Sequence, residues 1–124
     1  MTNLIYEELS YKIIGAAKEV YKELDPGFLE SVYEDALCYE FEQINLEYKK
    51  QVELYVLYKN KVFKNRFKAD LIIENKIIVE NKAIKNITKA DEAQLINYLK
   101  ITSIKLGLLF NYGSTKFEML RRVY

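Results

Sequence analysis

Asp70, Glu80 and Lys82 are the residues of this chain whose types and spacing could do chemistry. Residues 67–83 read FKADLIIENKIIVENKA, two apolar runs of period two separated by Glu74-Asn75, a pair suited to a tight turn. On the second run Glu80 and Lys82 lie two apart, so both point to one face. Folding the runs into an antiparallel hairpin brings Asp70 beside Glu80. Two carboxylates and a lysine then share a small space among isoleucines and valines. Ionised groups are costly there unless they are paired or hold a metal. Two readings stay open at this point. One is an ion pair between Lys82 and a carboxylate; the other is a divalent-metal site with a lysine beside it.

Composition narrows the chemistry further. The 124 residues include no histidine, which excludes a His-based triad, a His general base and His-ligated zinc. The one cysteine, Cys38, sits in a helical pattern and reads as a packing residue; a lone thiol forms no internal disulfide and suits a reducing compartment. Nineteen basic against eighteen acidic residues argue against a strongly basic coat for nucleic acid, while leaving room for a local patch. No apolar run approaches the roughly 18 residues that a membrane helix needs. The polar and acidic start does not read as a signal peptide. The expectation is a single cytoplasmic domain over residues 1–124, with no membrane partner.

The elements that must position the three residues follow from periodicity. Residues 4–23 carry Leu4, Ile5, Leu9, Ile13, Ala16, Ala17 and Val20 at helical spacing and stop at Asp25-Pro26-Gly27. A second helix over 28–44 has Leu29, Val32, Tyr33, Ala36, Leu37 and Phe41 on its apolar side, and Glu30 and Glu34 four apart on one face. Glutamates so placed are most often simply solvated. Residues 50–58 and 61–73 alternate as strands about a turn at Lys59-Asn60, with Val52, Leu54, Val56 and Tyr58 on one face of the first. On the second, Phe63, Phe67, Ala69 and Leu71 take one face, and Lys64, Arg66, Lys68 and Asp70 the other. A row of cations then leads to Asp70, either as a solvated face or as a phosphate-binding approach.

Residues 76–83 are the most apolar strand, as befits one buried on both faces. A helix from Thr88 or Lys89 to Thr102 has a threonine cap and an acidic first turn, Asp91 and Glu92, with Gln94 and Tyr98 four apart on one face. Strands over 105–111 and 116–123 close the chain. The order ααβββαββ predicts an α/β (α+β) fold, a mixed central sheet flanked by helices.

These motifs together resemble the PD-(D/E)xK nuclease superfamily and, within it, the GxxExxY family. Gly27-Phe28-Leu29-Glu30-Ser31-Val32-Tyr33 reads as the name motif, and Asp70 with Glu80-Asn81-Lys82 as the superfamily's metal-binding and catalytic motif. Gln94-Leu95-Ile96-Asn97-Tyr98 reads as the QxxxY motif of one branch, and Gly107 to Gly113 with Arg121 as the family's C-terminal end. The resemblance runs from about Leu9 to Val123. Two positions depart from it: Asn81 stands where an apolar residue is common, and Asp91 where a histidine is common.

The resemblance implies a restriction-endonuclease-like core and hydrolysis of phosphodiester bonds in nucleic acid, DNA first, with a role in repair or defence. Asp70 and Glu80 would bind one or two Mg²⁺ or Mn²⁺ ions, with Glu30 and the backbone carbonyl of Asn81 completing the shell. Lys82 would act on the attacking water or on the transition-state charge, helped by Gln94 and Tyr98. Lys64, Arg66 and Lys68 would guide the nucleic-acid backbone, and a homodimer would suit cutting of both strands. The alternative is a non-catalytic protein-interaction module on the same fold, which an exposed tyrosine and leucine patch on the first helix would favour.

Overall fold

Helix α1 (Glu7–Leu24) buries Ile13, Ala17 and Val20 along one stripe and ends where Asp25 turns to φ 58 and Pro26 follows. The structure is a computed structural model and describes residues 5–124, apart from the side chains of residues 65 and 66. The expected contributions of Leu4 and of the Arg66 side chain lie outside the described residues. α1 starts later than its apolar pattern suggests, because Tyr6 takes a left-handed φ of 51. Helix α2 (Glu30–Gln43) buries Tyr33, Glu34, Leu37, Cys38 and Phe41. This stripe is rotated from the expected one, and Leu29 is 78% exposed.

The strands are β1 (Tyr48–Tyr58), β2 (Lys61–Ile73) and β3 (Ile77–Lys82), then, after helix α3 (Lys89–Thr102), β4 (Leu106–Asn111) and β5 (Glu118–Val123). This is the expected order ααβββαββ. They form one five-stranded sheet in the order β1-β2-β3-β4-β5. All neighbours are antiparallel except β3 and β4, which α3 joins as the crossover. Both hairpin connections carry two left-handed residues, Lys59-Asn60 as a two-residue turn between paired Tyr58 and Lys61, and Glu74-Asn75 within the three residues between paired Ile73 and Ile77. α1 and α2 cover one face of the sheet and α3 the other. On β3, Ile77 and Val79 join the first core and Ile78 the second, so the strand is buried on both faces.

The alternation expected for β1 and β2 is interrupted. Tyr48 packs with the α1–α2 core, but Val52 and Leu54, of the same parity, pack with α3. Between them Gln51 takes φ 49. On β2, likewise, Leu71 faces α1–α2 while Ala69 packs with α3. The register shifts again between Glu53 and Tyr55. Ala69 and Leu71 therefore do not share the one face expected of them; Lys64 and Lys68 are exposed.

The chain leaving β3 is held by buried Asn111, whose Oδ1 accepts the N–H of Ile84 and of Gly113 at 3.0 Å each. A Cβ on Gly113 would lie 2.4 Å from the Ile84 nitrogen. Gly113→Ala should destabilise the fold by about 3 kcal/mol, because backbone and not a flexible side chain blocks the space. A fall of about 10 °C in thermal unfolding checks it.

Candidate active site

The β2–β3 ladder pairs Leu71 with Val79, Ile72 with Ile78 and Ile73 with Ile77, and then stops. Beyond it β2 stays with β1, while β3 stays with β4 as far as Lys82 opposite Asn111. The strands fork, and the fork frees backbone donors that must be satisfied. Two carboxylates take them. The Asp70 N–H donates to Glu80 Oε2 at 2.8 Å, and the Asn81 N–H donates to Asp70 Oδ2 at 2.8 Å. The adjacency expected from the hairpin is thus present, and Glu80 is only 4% exposed.

A third carboxylate arrives from α2. Glu34 is buried, and both its oxygens accept from Gln51 Nε2, at 3.1 and 3.3 Å. The same nitrogen lies 3.4 Å from Asp70 Oδ1. The left-handed turn at Gln51 thus places an amide donor where Glu34 and Asp70 converge. Glu34 was not among the expected site residues. Its sequence signal is that Glu34, Leu37, Cys38 and Phe41 form an i, i+3, i+4, i+7 stripe, so the glutamate heads a core face. Gln51 carries no comparable signal.

Burial raises the pKa of all three carboxyls. For Glu80, desolvation pushes it well up and the neighbouring Asp70 charge adds to this. Desolvation likewise raises Asp70, and raises Glu34 with help from Asp70. The charge of Lys82 lowers Asp70 and Glu80 but does not offset their burial. Lys82 is half-buried, and its Nζ donates to Gln94 Oε1 at 3.4 Å. Among the described residues, no ion pair joins Lys82 to Asp70 or Glu80. The ion-pair reading of the motif therefore lacks its contact.

The other expected residues fall around this fork. Glu30, at the first turn of α2, is exposed, and its Oε2 accepts the Ala83 N–H at 3.4 Å, beside Lys82. Tyr98 is buried on α3; burial, then the charges of Glu80 and Asp70, raise its phenol pKa. Gln94 lies one turn before it on α3. The Asn81 side chain points to the opposite face, where its Oδ1 accepts from the Tyr112 hydroxyl at 3.2 Å and its Nδ2 has no partner among the described residues. Among the described residues, Lys64 and Lys68 make no hydrogen bond or ion pair with the three carboxylates. Asp91 closes a capping box with Thr88 and so fixes the start of α3. Cys38 is a core residue, its thiol pushed up to about 11 by burial.

Tyr33 explains the spacing of the motif around Glu30. Its hydroxyl donates to the Asp25 carbonyl at 2.6 Å and accepts the Phe28 N–H at 3.1 Å, while its ring stacks on Tyr112 at 4.6 Å. It ties down the turn in which Gly27 takes φ 127, and so sets where Glu30 begins α2. Tyr33→Phe should cost about 1 kcal/mol, because it strands a carbonyl and an N–H together. Differential scanning calorimetry should show a loss of about 4 °C.

A family model described as the PD-(D/E)XK nuclease superfamily matches residues 7–123. The chain belongs to the PD-(D/E)XK nuclease superfamily. It is also similar to a solved structure, the crystal structure of SSO0001, with a TM-score of 0.54 and 22% identity over 75% of this chain and 52% of that one. That likeness concerns the fold, and this chain spans about half the length of that structure. No curated protein matches it significantly. PD-(D/E)XK nucleases generally use divalent ions, so fit to one can be asked of the residues here. The donors at the fork are all oxygen, as hard cations prefer, and Glu34 and Asp70 already converge on one hydrogen-bond donor group, the Gln51 amide. Among the described residues, no three acidic side chains are drawn close enough to form a closed ligand cluster. The donor chemistry suits a hard ion such as Mg²⁺ or Mn²⁺.

Proposed function

We propose that this PD-(D/E)XK chain is a metal-dependent nuclease, of the GxxExxY type, that hydrolyses phosphodiester bonds in DNA. The observation that carries the reading is buried Glu80 beside half-buried Asp70, a pair with which no cationic side chain forms an ion pair among the described residues, although Lys82 is near in sequence. Uncompensated carboxylates in a sheet are unfavourable for the fold alone. Asp70 and Glu80 are the proposed ligands of Mg²⁺ or Mn²⁺, with the Asn81 carbonyl and one of the α2 glutamates, Glu34 on the Asp70 side or Glu30 on the Lys82 side. When bound, the ion supplies a water of lowered pKa and neutralises phosphate oxygens.

The chain's own groups then orient and stabilise. Lys82 Nζ, steadied by Gln94 Oε1, donates to the phosphate oxygen that gains charge. Tyr98 stays protonated and serves as a donor on the α3 side. Lys64, Arg66 and Lys68 hold the substrate backbone as it approaches. The reading places one domain in the cytoplasm, as a homodimer where both strands are cut. Among the described residues no helix is long and apolar enough to cross a membrane. A second reading, a protein-interaction module, draws on Tyr11 and Tyr39, 79% and 58% exposed on α1 and α2, although Leu9 is half-buried.

The test is cleavage of end-labelled DNA and RNA with Mn²⁺, beside Asp70→Asn. Cuts made by the wild type and absent in the variant are expected. No cleavage together with no Mn²⁺ binding would sink the enzyme and leave the module.

A further inference from the structure

The far end of the β1–β2 hairpin takes no part in the fork or the cores. β2 pairs with β3 only from Leu71 to Ile73, so towards the Lys59-Asn60 tip the two strands continue as a ribbon without a third. Such a ribbon has little to bury its side chains against. Yet both of its faces are apolar. Cross-strand pairing puts Val56, Tyr58 and Phe63 on one face, and Tyr55, Leu57 and Val62 on the other. Leu57 is 69% exposed, and Val62 and Tyr58 are more than half exposed. Such a patch adds nothing to the fold and marks a contact surface.

Charge identifies the occupant. Five of the nineteen cations and none of the eighteen acids fall between Leu54 and Ala69, which leaves 14 cations against 18 acids in the rest of the chain. The nearest preceding acid, Glu53, accepts a hydrogen bond from the Tyr55 hydroxyl. The hairpin is the cationic pole of an otherwise acidic chain. A second copy docking here would set five like charges against five. A nucleic-acid strand supplies the opposite charge, and its unpaired bases supply flat apolar faces. The exposed rings of Tyr58 and Phe63 stack at 5.9 Å and 22°, with Lys59 Nζ 5.4 Å from the Tyr58 centroid. An aromatic shelf among lysines is how single strands are held irrespective of sequence. β2 leads from this shelf to Asp70, about 23 Å beyond Phe63 at the strand rise. On the way Phe67 meets the ring of Tyr98 at 6.1 Å.

We propose that the β1–β2 hairpin grips unpaired nucleotides, stacking bases on Tyr58 and Phe63 and holding phosphates with Lys59 and Lys61, and leads that strand to the fork. The substrate class is then nucleic acid with a single-stranded segment, such as a tail, a flap or a splayed junction. The inference rests on the nuclease reading but is tested by binding alone. The full chain carrying Asp70→Asn is titrated, in EDTA, into a fluorescein-labelled single strand longer than about 16 nucleotides and into the matching duplex.

The single strand should bind about tenfold tighter than the duplex, and Tyr58→Ala and Phe63→Ala should each weaken it about tenfold. Tyr58→Phe should bind like the parent, because the ring carries the effect. Lys59→Ala and Lys61→Ala should each reduce the salt slope by about 0.7. These side chains are exposed, so thermal unfolding serves as the control for folding. Unchanged affinity in the tip variants, no preference for the single strand, or no binding of either oligonucleotide would overturn the proposal. So would self-association or binding to anionic vesicles that Leu57→Glu abolishes while oligonucleotide binding persists. Wild-type cleavage in Mn²⁺ that tip variants retain in full would sink the hairpin and spare the nuclease. Tip-dependent binding without cleavage would do the reverse.

Discussion

Lys82→Ala should slow Mn²⁺-supported cleavage about 10³-fold while leaving Mn²⁺ binding in place, and Asp70→Asn should remove both. The difference follows from where the two side chains end. Asp70 sits at the fork with both oxygens engaged, one by the Asn81 N–H and one by Gln51. Asparagine keeps the size and one acceptor but loses the charge that a divalent ion needs. Lys82 touches neither carboxylate; its Nζ is bonded to Gln94 Oε1. Removing it leaves the hydrogen bonds of the proposed ligands in place and takes away the charge proposed to meet the reacting phosphate. Loss of one such preorganised donor typically costs about 10²–10³ in rate. Single-turnover cleavage and Mn²⁺ titration by calorimetry would separate the two effects. A Lys82→Ala protein that no longer binds Mn²⁺, or one that cuts at the normal rate, would contradict the assignment.

The metal-free protein should lose stability as the pH rises past 4.5, and Mn²⁺ should return it. Glu34, Asp70 and Glu80 all hold their protons more tightly in the folded chain than at their ordinary values of 4.5, 3.8 and 4.5. Above those values the unfolded chain gives up these protons while the folded one still retains them. The stabilisation is complete below about pH 4 and is lost as pH climbs through the folded-state values. A cation at the fork would reverse this by favouring the charged forms. At a hundred times its Kd it should add about 2.7 kcal/mol, or roughly 10 °C in melting temperature. Glu80→Gln should flatten the pH dependence, raise the melting temperature at about pH 7 without metal, and abolish the Mn²⁺ shift. An ion pair between Glu80 and Lys82 would give the opposite result, a less stable Glu80→Gln protein.

Adjacency at the fork could be read from the chain because it is local. Asp70 and Glu80 lie close in sequence on either side of one tight turn, so the period-two pattern and the turn residues settle their pairing. The same holds for the element order, the two left-handed turns and the Thr88 cap. The face of α2 was harder. Leu29 and Val32 are apolar but exposed, while Glu34 and Cys38 are buried beside the expected Tyr33, Leu37 and Phe41, since the direction in which a helix packs depends on its partners.

What the sequence determined alone is the parts and their local order: a hairpin carrying two carboxylates and a lysine, two helices before it and one after, and motifs that match a nuclease superfamily over nearly the whole chain. Tertiary structure decided which charges meet. Glu34 on α2 reaches Asp70 on β2 through Gln51, whose left-handed backbone has no mark in a non-glycine residue. Lys82, near Glu80 on the same strand, is turned instead to Gln94. Strand alternation fixes a side chain's face, but only the packing of α2 and α3 around the fork fixes its partner. Among the described residues, that packing leaves Asp70 and Glu80 without a paired cation.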